Sequence, residues 1–188
     1  MQYGVYPGKS QTSLFCLNLQ RSGFQLINQS ALQIINMHII KSFEDFQSKV
    51  GEELGASLWH RVTQQQINDF AHATMDEQWI HTDPERAKTE SPFHATIAHG
   101  YLAVSLLPYF WKQVVDVKNI KMQVNYGIEK LKFGQAIVVN SDIRCRVKLA
   151  NVANLRGVVK VTLDIKLEIK DNDKPAFTGE VVFLYHFA

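Results

Sequence analysis

From Val159 to Ile169 every second residue is large and apolar. Val159, Val161, Leu163, Ile165, Leu167 and Ile169 alternate with Lys160, Thr162, Asp164, Lys166 and Glu168. Successive side chains of a strand point to opposite faces, so an extended chain gathers these six on one side, whereas a helix would scatter them. The segment is therefore a strand with one dry face and one wet face, the pattern of an antiparallel sheet. Ile143, Cys145, Val147 and Leu149 repeat the alternation against Asp142, Arg144, Arg146 and Lys148. Asp171-Asn172-Asp173-Lys174-Pro175 supplies turn chemistry before a final, more continuously apolar strand from Val181 to Phe187.

A sheet with a dry face needs a cover. From Ser91 to Trp111 there is no Asp, Glu, Lys or Arg, a run long enough to cross a bilayer. It contains His94, His99, Gly100 and Pro108, however, and opens on Ser91-Pro92. It reads as a turn followed by a buried core helix near residues 98–115, with no membrane span. The expected fold class is α+β: an antiparallel sheet wrapped around a long central helix.

Shorter elements precede it. Ser42 and Asp45 have near-capping-box spacing, Phe43, Phe46 and Val50 share a helical face, and Gly51 closes that helix. Residues 57–62 read as a strand. Thr63-Gln64-Gln65-Gln66 is a fuller capping box, opening a helix with an Ile67, Phe70, Ala71 stripe that runs to about Thr74. Asp83-Pro84 starts another. Residues 1–40 are unlike the rest: the first acidic residue is Glu44, and Gln, Asn and Ser are frequent. They read as an N-terminal extension, either disordered or the product of a start assigned too early, with translation beginning at Met37; the compact domain is expected over 41–188.

Charge sets further limits. With 20 basic and 18 acidic residues, neither a nucleic-acid-binding face nor a highly acidic surface is implied. Cys16 and Cys145 do not make a disulfide framework, so a reducing cytoplasm is the expected compartment.

The chemistry concentrates in Asp76-Glu77-Gln78-Trp79-Ile80-His81. A carboxylate and an imidazole sharing one water can take a proton from it and return one to a neighbouring carbon. Imidazole suits this because it titrates near neutrality. Downstream, His99-Gly100 enters the long helix, where a bare glycine N–H can approach a developing oxyanion. A metal site competes, since His72, Asp76, His81, His94 and His99 crowd one region. No HExxH or paired-cysteine pattern supports it, and none is expected.

Asp76-x-Gln-x-x-His81-x-Asp83-Pro84, then Ser91-Pro92-Phe93 and Ile97-Ala98-His99-Gly100, resembles the MaoC-like dehydratase family. It especially resembles the branch of nodulation-protein-N-like proteins and single-domain R-specific enoyl-CoA hydratases, over roughly residues 42–187. The resemblance implies a single hot-dog domain, a homodimer, and hydration of trans-2-enoyl thioesters to (3R)-hydroxyacyl thioesters. It implies Asp76 and His81 as the catalytic pair and Gly100 as the backbone donor to the thioester oxygen. Gln78, where many members have Asn, would order the catalytic loop. Trp79, Phe93, His99, Tyr101 and Ser105 would support the site or line the acyl tunnel. No cofactor is implied beyond the CoA or acyl-carrier pantetheine of the substrate. Met75 and His94-Ala95 stand where the family commonly has glycines.

Two other readings stay open: a hot-dog acyl thioesterase, and a non-enzymatic module that binds acyl groups or serves signalling. Lys112, Lys118, Lys121, Lys130 and Lys132 are candidate contacts to CoA phosphates, or a solvated face.

Overall fold

A computed structural model describes residues 37–188; the readings that fall on residues 1–36, Cys16 among them, lie outside the described residues. The two alternating segments are strands paired along their lengths. β6 (Asp142–Leu155) runs antiparallel to β7 (Val158–Ile169), which pairs with β8 (Phe177–Phe187), and β8 with β5 (Ile120–Phe133). β2 (Glu53–Ala56) lies on the far side of β6, giving the order β2-β6-β7-β8-β5, and β3 (His60–Arg61) also pairs with β6. Ile143, Cys145, Val147 and Leu149 are buried, as are all six alternating apolar residues of β7. The other face carries ion pairs such as Arg144 and Arg146 with Glu168.

The apolar run covers that dry face, but as two helices, not one. α5 (Gly100–Ser105) ends at Leu106 and α6 (Leu107–Val114) begins immediately after it. Pro108 accounts for the break, because it has no N–H to give to the carbonyl four residues back and its ring crowds the preceding turn. Leu107, Phe110, Trp111 and Val114 of α6 are buried in the core. The Trp111 ring stacks on Phe183, and its indole N–H donates to the Tyr185 hydroxyl.

The remaining elements are α1 (Phe43–Gln47), α2 (Gln64–Thr74), α3 (Trp79–Thr82) and α4 (Pro84–Glu90). Their caps follow the expected chemistry: Ser42 accepts from the Asp45 N–H, Thr63 from Gln66 and Asp83 from Arg86. The box at Thr63 is not reciprocal, because the Gln66 side chain bonds His60 instead. Val50 is exposed and lies beyond α1.

Two expectations are corrected. Of the strand expected over 57–62 only β3 at His60–Arg61 forms; β2 ends just before the expected range, and residues 57–59 between them are not strand, although Ser57 still donates its N–H to the Cys145 carbonyl. The domain also takes in His38–Ile40 from the expected extension. This β1 strand pairs in parallel with β4 (Val115–Val117) and buries Ile40, which the short local pattern did not reveal.

Candidate active site

α2 ends at Met75, which adopts a left-handed conformation (φ 61°) and sends its N–H back to the Ala71 carbonyl. The chain then passes Asp76 and enters α3, a single helical turn. Gln78 caps that turn through its backbone: its carbonyl accepts the His81 N–H at 2.9 Å, while its side chain makes no capping bond. This turn drives the His81 side chain inward, leaving the residue only 8% exposed.

The His81 ring is held in one tautomer. Nδ1 lies 2.7 Å from the Ile97 carbonyl oxygen. A carbonyl only accepts, so Nδ1 carries the proton and Nε2 keeps a free lone pair. Burial pushes the imidazole pKa below its ordinary value. The Ile97 bond opposes that, nearby His99 adds to it, and Asp76 opposes it. Burial dominates, so His81 is a neutral base at physiological pH.

His99 stacks on His81 with ring centroids 3.8 Å apart. Its Nε2 donates to the Asp76 backbone carbonyl at 2.9 Å and lies 3.9 Å from the Asp76 carboxylate. The Asp76 side chain is 56% exposed. One ligand atom from each of Asp76, His81 and His99 lies within 4.8 Å of the others, so a single small molecule can touch all three groups. These three are the metal-competent cluster among the described residues; His72 and His94 are exposed and outside it.

His81 and Gly100 stand in the wall of a cavity of about 330 Å³. Tyr101, Phe133, Ile137 and Phe177 make much of the remaining wall. Gly100 is the first residue of α5, where N–H groups have no intrahelical acceptor. A Cβ on Gly100 would sit 2.8 Å from the Phe133 ring, so the glycine permits the close packing of helix and pocket wall.

The expected supporting residues divide. Tyr101 is in the wall, edge-on to Phe133. Trp79 lies outside it under the Arg86 guanidinium, and Phe93 is exposed, its N–H on the Ser91 hydroxyl. Ser105 lines a different hollow, between α5 and α6 and the β5–β8 pair, and donates to the Leu102 carbonyl. Lys118 and Lys130 are paired with Asp116 and Glu180.

The end of β5 and the residues after it (133–137), together with Ala176 and Phe177, enter the wall without a sequence signal beyond a Gly134-Gln135-Ala136 interruption. Met75 and His94, both at common glycine positions, have left-handed φ values of 61° and 54°. Glycine adopts that conformation most readily.

Comparison with known proteins shows the family. The sequence pattern of the MaoC like domain matches residues 45–170. The chain is 39% identical over 150 residues to 3-hydroxyacyl-thioester dehydratase Z of Mycobacterium tuberculosis, covering 79% of this chain and 99% of that protein. It is 37% identical over 149 residues to nodulation protein N of Rhizobium leguminosarum bv. viciae, covering 78% and 92%. In structure it resembles the R-hydratase PhaJ1 from Pseudomonas aeruginosa (TM-score 0.61, 18% identity, 74% and 83% covered). It also resembles an (R)-hydratase from A. caviae (TM-score 0.58, 24% identity, 71% and 94% covered). At those identities the structural likeness carries the fold alone, the hot-dog arrangement of sheet and helix.

Proposed function

The chain belongs to the MaoC-like dehydratase family, and from that premise we propose that it hydrates trans-2-enoyl thioesters, or runs the reverse dehydration, through Asp76 and His81. The observation that carries this is the approach of the Asp76 carboxylate to a neutral, tautomer-locked His81 at a mostly apolar cavity that also exposes Gly100.

A water held between Asp76 and His81 attacks C3 of the enoyl group while Nε2 of His81, or the carboxylate, takes its proton. The C2–C3 π electrons move toward the thioester carbonyl, and the growing charge on its oxygen is met by the Gly100 N–H. One such donor is worth roughly 3 kcal/mol of barrier. The proton then returns to C2 from the face on which water was added, giving a (3R)-hydroxyacyl thioester. The pair serves both directions, because the group that takes the proton in hydration gives it back in dehydration. As written, the reaction uses no metal or cofactor; CoA or a carrier pantetheine belongs to the substrate.

We also read the active form as a homodimer. β5 is an edge strand, with Met122, Tyr126, Ile128 and Phe133 exposed along it, and an apolar edge left open is an aggregation hazard unless paired.

Incubating the protein with an enoyl-CoA while following both the conjugated-thioester absorbance and free thiol release tests the reaction. The proposal requires absorbance loss without thiol. Thiol release at the same rate would make it a thioesterase, and neither signal on CoA or carrier-protein substrates would make it a binding module.

A further inference from the structure

The side chain of Gln64, at the first turn of α2, does not cap its own helix. Its Nε2 donates to the His81 carbonyl and to Asn68 Oδ1, both at 2.8 Å, and its Oε1 accepts from the Thr96 hydroxyl. One amide orientation satisfies all three bonds, since the His81 carbonyl can only accept and the amide oxygen cannot donate.

The outer partners of this amide belong to the site. The His81 carbonyl is on the residue whose imidazole stands in the cavity wall. Thr96 precedes Ile97, whose carbonyl takes the Nδ1–H of that imidazole. Residues 96–98 are in turn fastened to 137–139: Val139 N–H bonds the Thr96 carbonyl at 2.9 Å and Ala98 N–H the Ile137 carbonyl at 2.8 Å. Segments 80–81 and 96–97 also meet directly, through the Ile97 N–H on the Ile80 carbonyl at 3.1 Å. The Gln64 bridge reaches them from outside both. Thr96 and His81 are buried, so bulk water is poorly placed to replace a lost bond.

We infer that Gln64 is a positioning residue for the hydration proposed above, on which this inference rests: its amide clamps the His81 backbone to the anchored Thr96–Ile97 segment and so keeps the imidazole aligned with the Asp76 carboxylate and Gly100. It acts through His81 and lies outside the cavity wall. Its loss therefore loosens the reacting geometry and leaves the surface that binds the acyl chain in place.

Three variants test this. Gln64→Met keeps the length and removes every bond. Gln64→Glu, ionised, still accepts from Thr96 but cannot donate to the His81 carbonyl. Thr96→Val removes the hydroxyl at nearly constant shape. Misplacement of a reacting group on the ångström scale costs about 100-fold, so each Gln64 variant is expected to lower kcat by roughly 10- to 100-fold. KM is expected to stay within about twofold, because binding contacts are untouched. The Gln64→Met, Thr96→Val double variant is expected to be no slower than the worse single one, as for members of one network. A second readout needs no turnover. The His81 Nδ1–H proton resonance, assigned by its loss in His81→Gln, is expected to be sharp in the wild type and broadened in Gln64→Met.

A folded Gln64→Glu with kcat within about twofold of wild type, losses that multiply in the double variant, or an unchanged His81 resonance would each overturn the clamp. Should Gln64→Met fail to fold, Gln64→Glu carries the test. A wild type inert toward every enoyl thioester would overturn the assigned reaction instead, and the resonance comparison would still decide the clamp.

Discussion

Gly100→Ala separates what the glycine does for folding from what it does for catalysis. The added methyl would stand 2.8, 3.0 and 3.3 Å from three carbons of the Phe133 ring. Ordinary carbon contacts begin near 3.5 Å, so the ring must retreat by about 0.7 Å. It can do so cheaply, because Phe133 is 46% exposed. Its edge-on contacts with Tyr101 and Phe177 would be disturbed; such pairs are worth about 0.5–1.5 kcal/mol each. Replacing glycine within a helix returns up to about 1 kcal/mol. The net change in stability is therefore within about 1–2 kcal/mol, a Tm shift of a few degrees. The rate should suffer more. Phe133 is cavity wall beside the Gly100 N–H, and a shift of this size in a reacting geometry is worth roughly 10- to 100-fold in kcat/KM. Steady-state kinetics on an enoyl thioester beside thermal unfolding reads both quantities. A Phe133→Leu replacement in the Gly100→Ala background gives the methyl room and should recover part of the loss. Gly100→Ala with unchanged kcat/KM would refute the reasoning, as would an equal loss in the double variant.

Other outcomes follow from the same structure. His81 has a folded-state pKa below its ordinary 6.5, set first by burial, so the pH–rate profile of the wild type should show kcat/KM holding as pH falls to 6.5 and declining only on a limb below it. The unfolded chain binds that proton more readily than the native one. Stability should therefore fall as pH drops below about 6.5 and level off below the native pKa. Denaturation of wild type and His81→Gln at pH 5 and 7 measures this; equal pH dependence in the two would contradict it. Thr63→Ala removes the acceptor for the Gln66 N–H and should cost about 1 kcal/mol, seen as a lower denaturation midpoint with unchanged slope. Because an Asp–His pair needs no metal for hydration, prolonged EDTA dialysis should leave kcat unchanged; loss restored by a divalent ion would make Asp76, His81 and His99 a metal centre.

The sheet was legible because period two over β6 and β7 admits no other reading, and the caps at Ser42, Thr63 and Asp83 were legible because their chemistry is local. What escaped depends on contacts distant in sequence. β1 is a strand because it meets β4. The wall from Phe133 to Ile137 reaches the cavity only once the sheet is assembled. Asp76, His81 and Gly100 stood out by residue type and spacing; the fold brings the Asp76 carboxylate near His81 and puts His81 and Gly100 in one cavity wall. Gln64 was visible only as the start of a helix, since its partners at 81 and 96 are not neighbours in the chain. The helix expected over 98–115 was the reverse case: uniform apolarity concealed a break that Pro108 was already sufficient to cause.

Following the conjugated-thioester absorbance of crotonyl-CoA and longer enoyl-CoA homologues with wild type, Asp76→Asn and His81→Gln tests the central claim most directly. Rapid loss with the wild type, abolished in both variants while each retains the wild-type unfolding transition, is the predicted result. Undiminished loss in either folded variant would contradict the assignment of the pair.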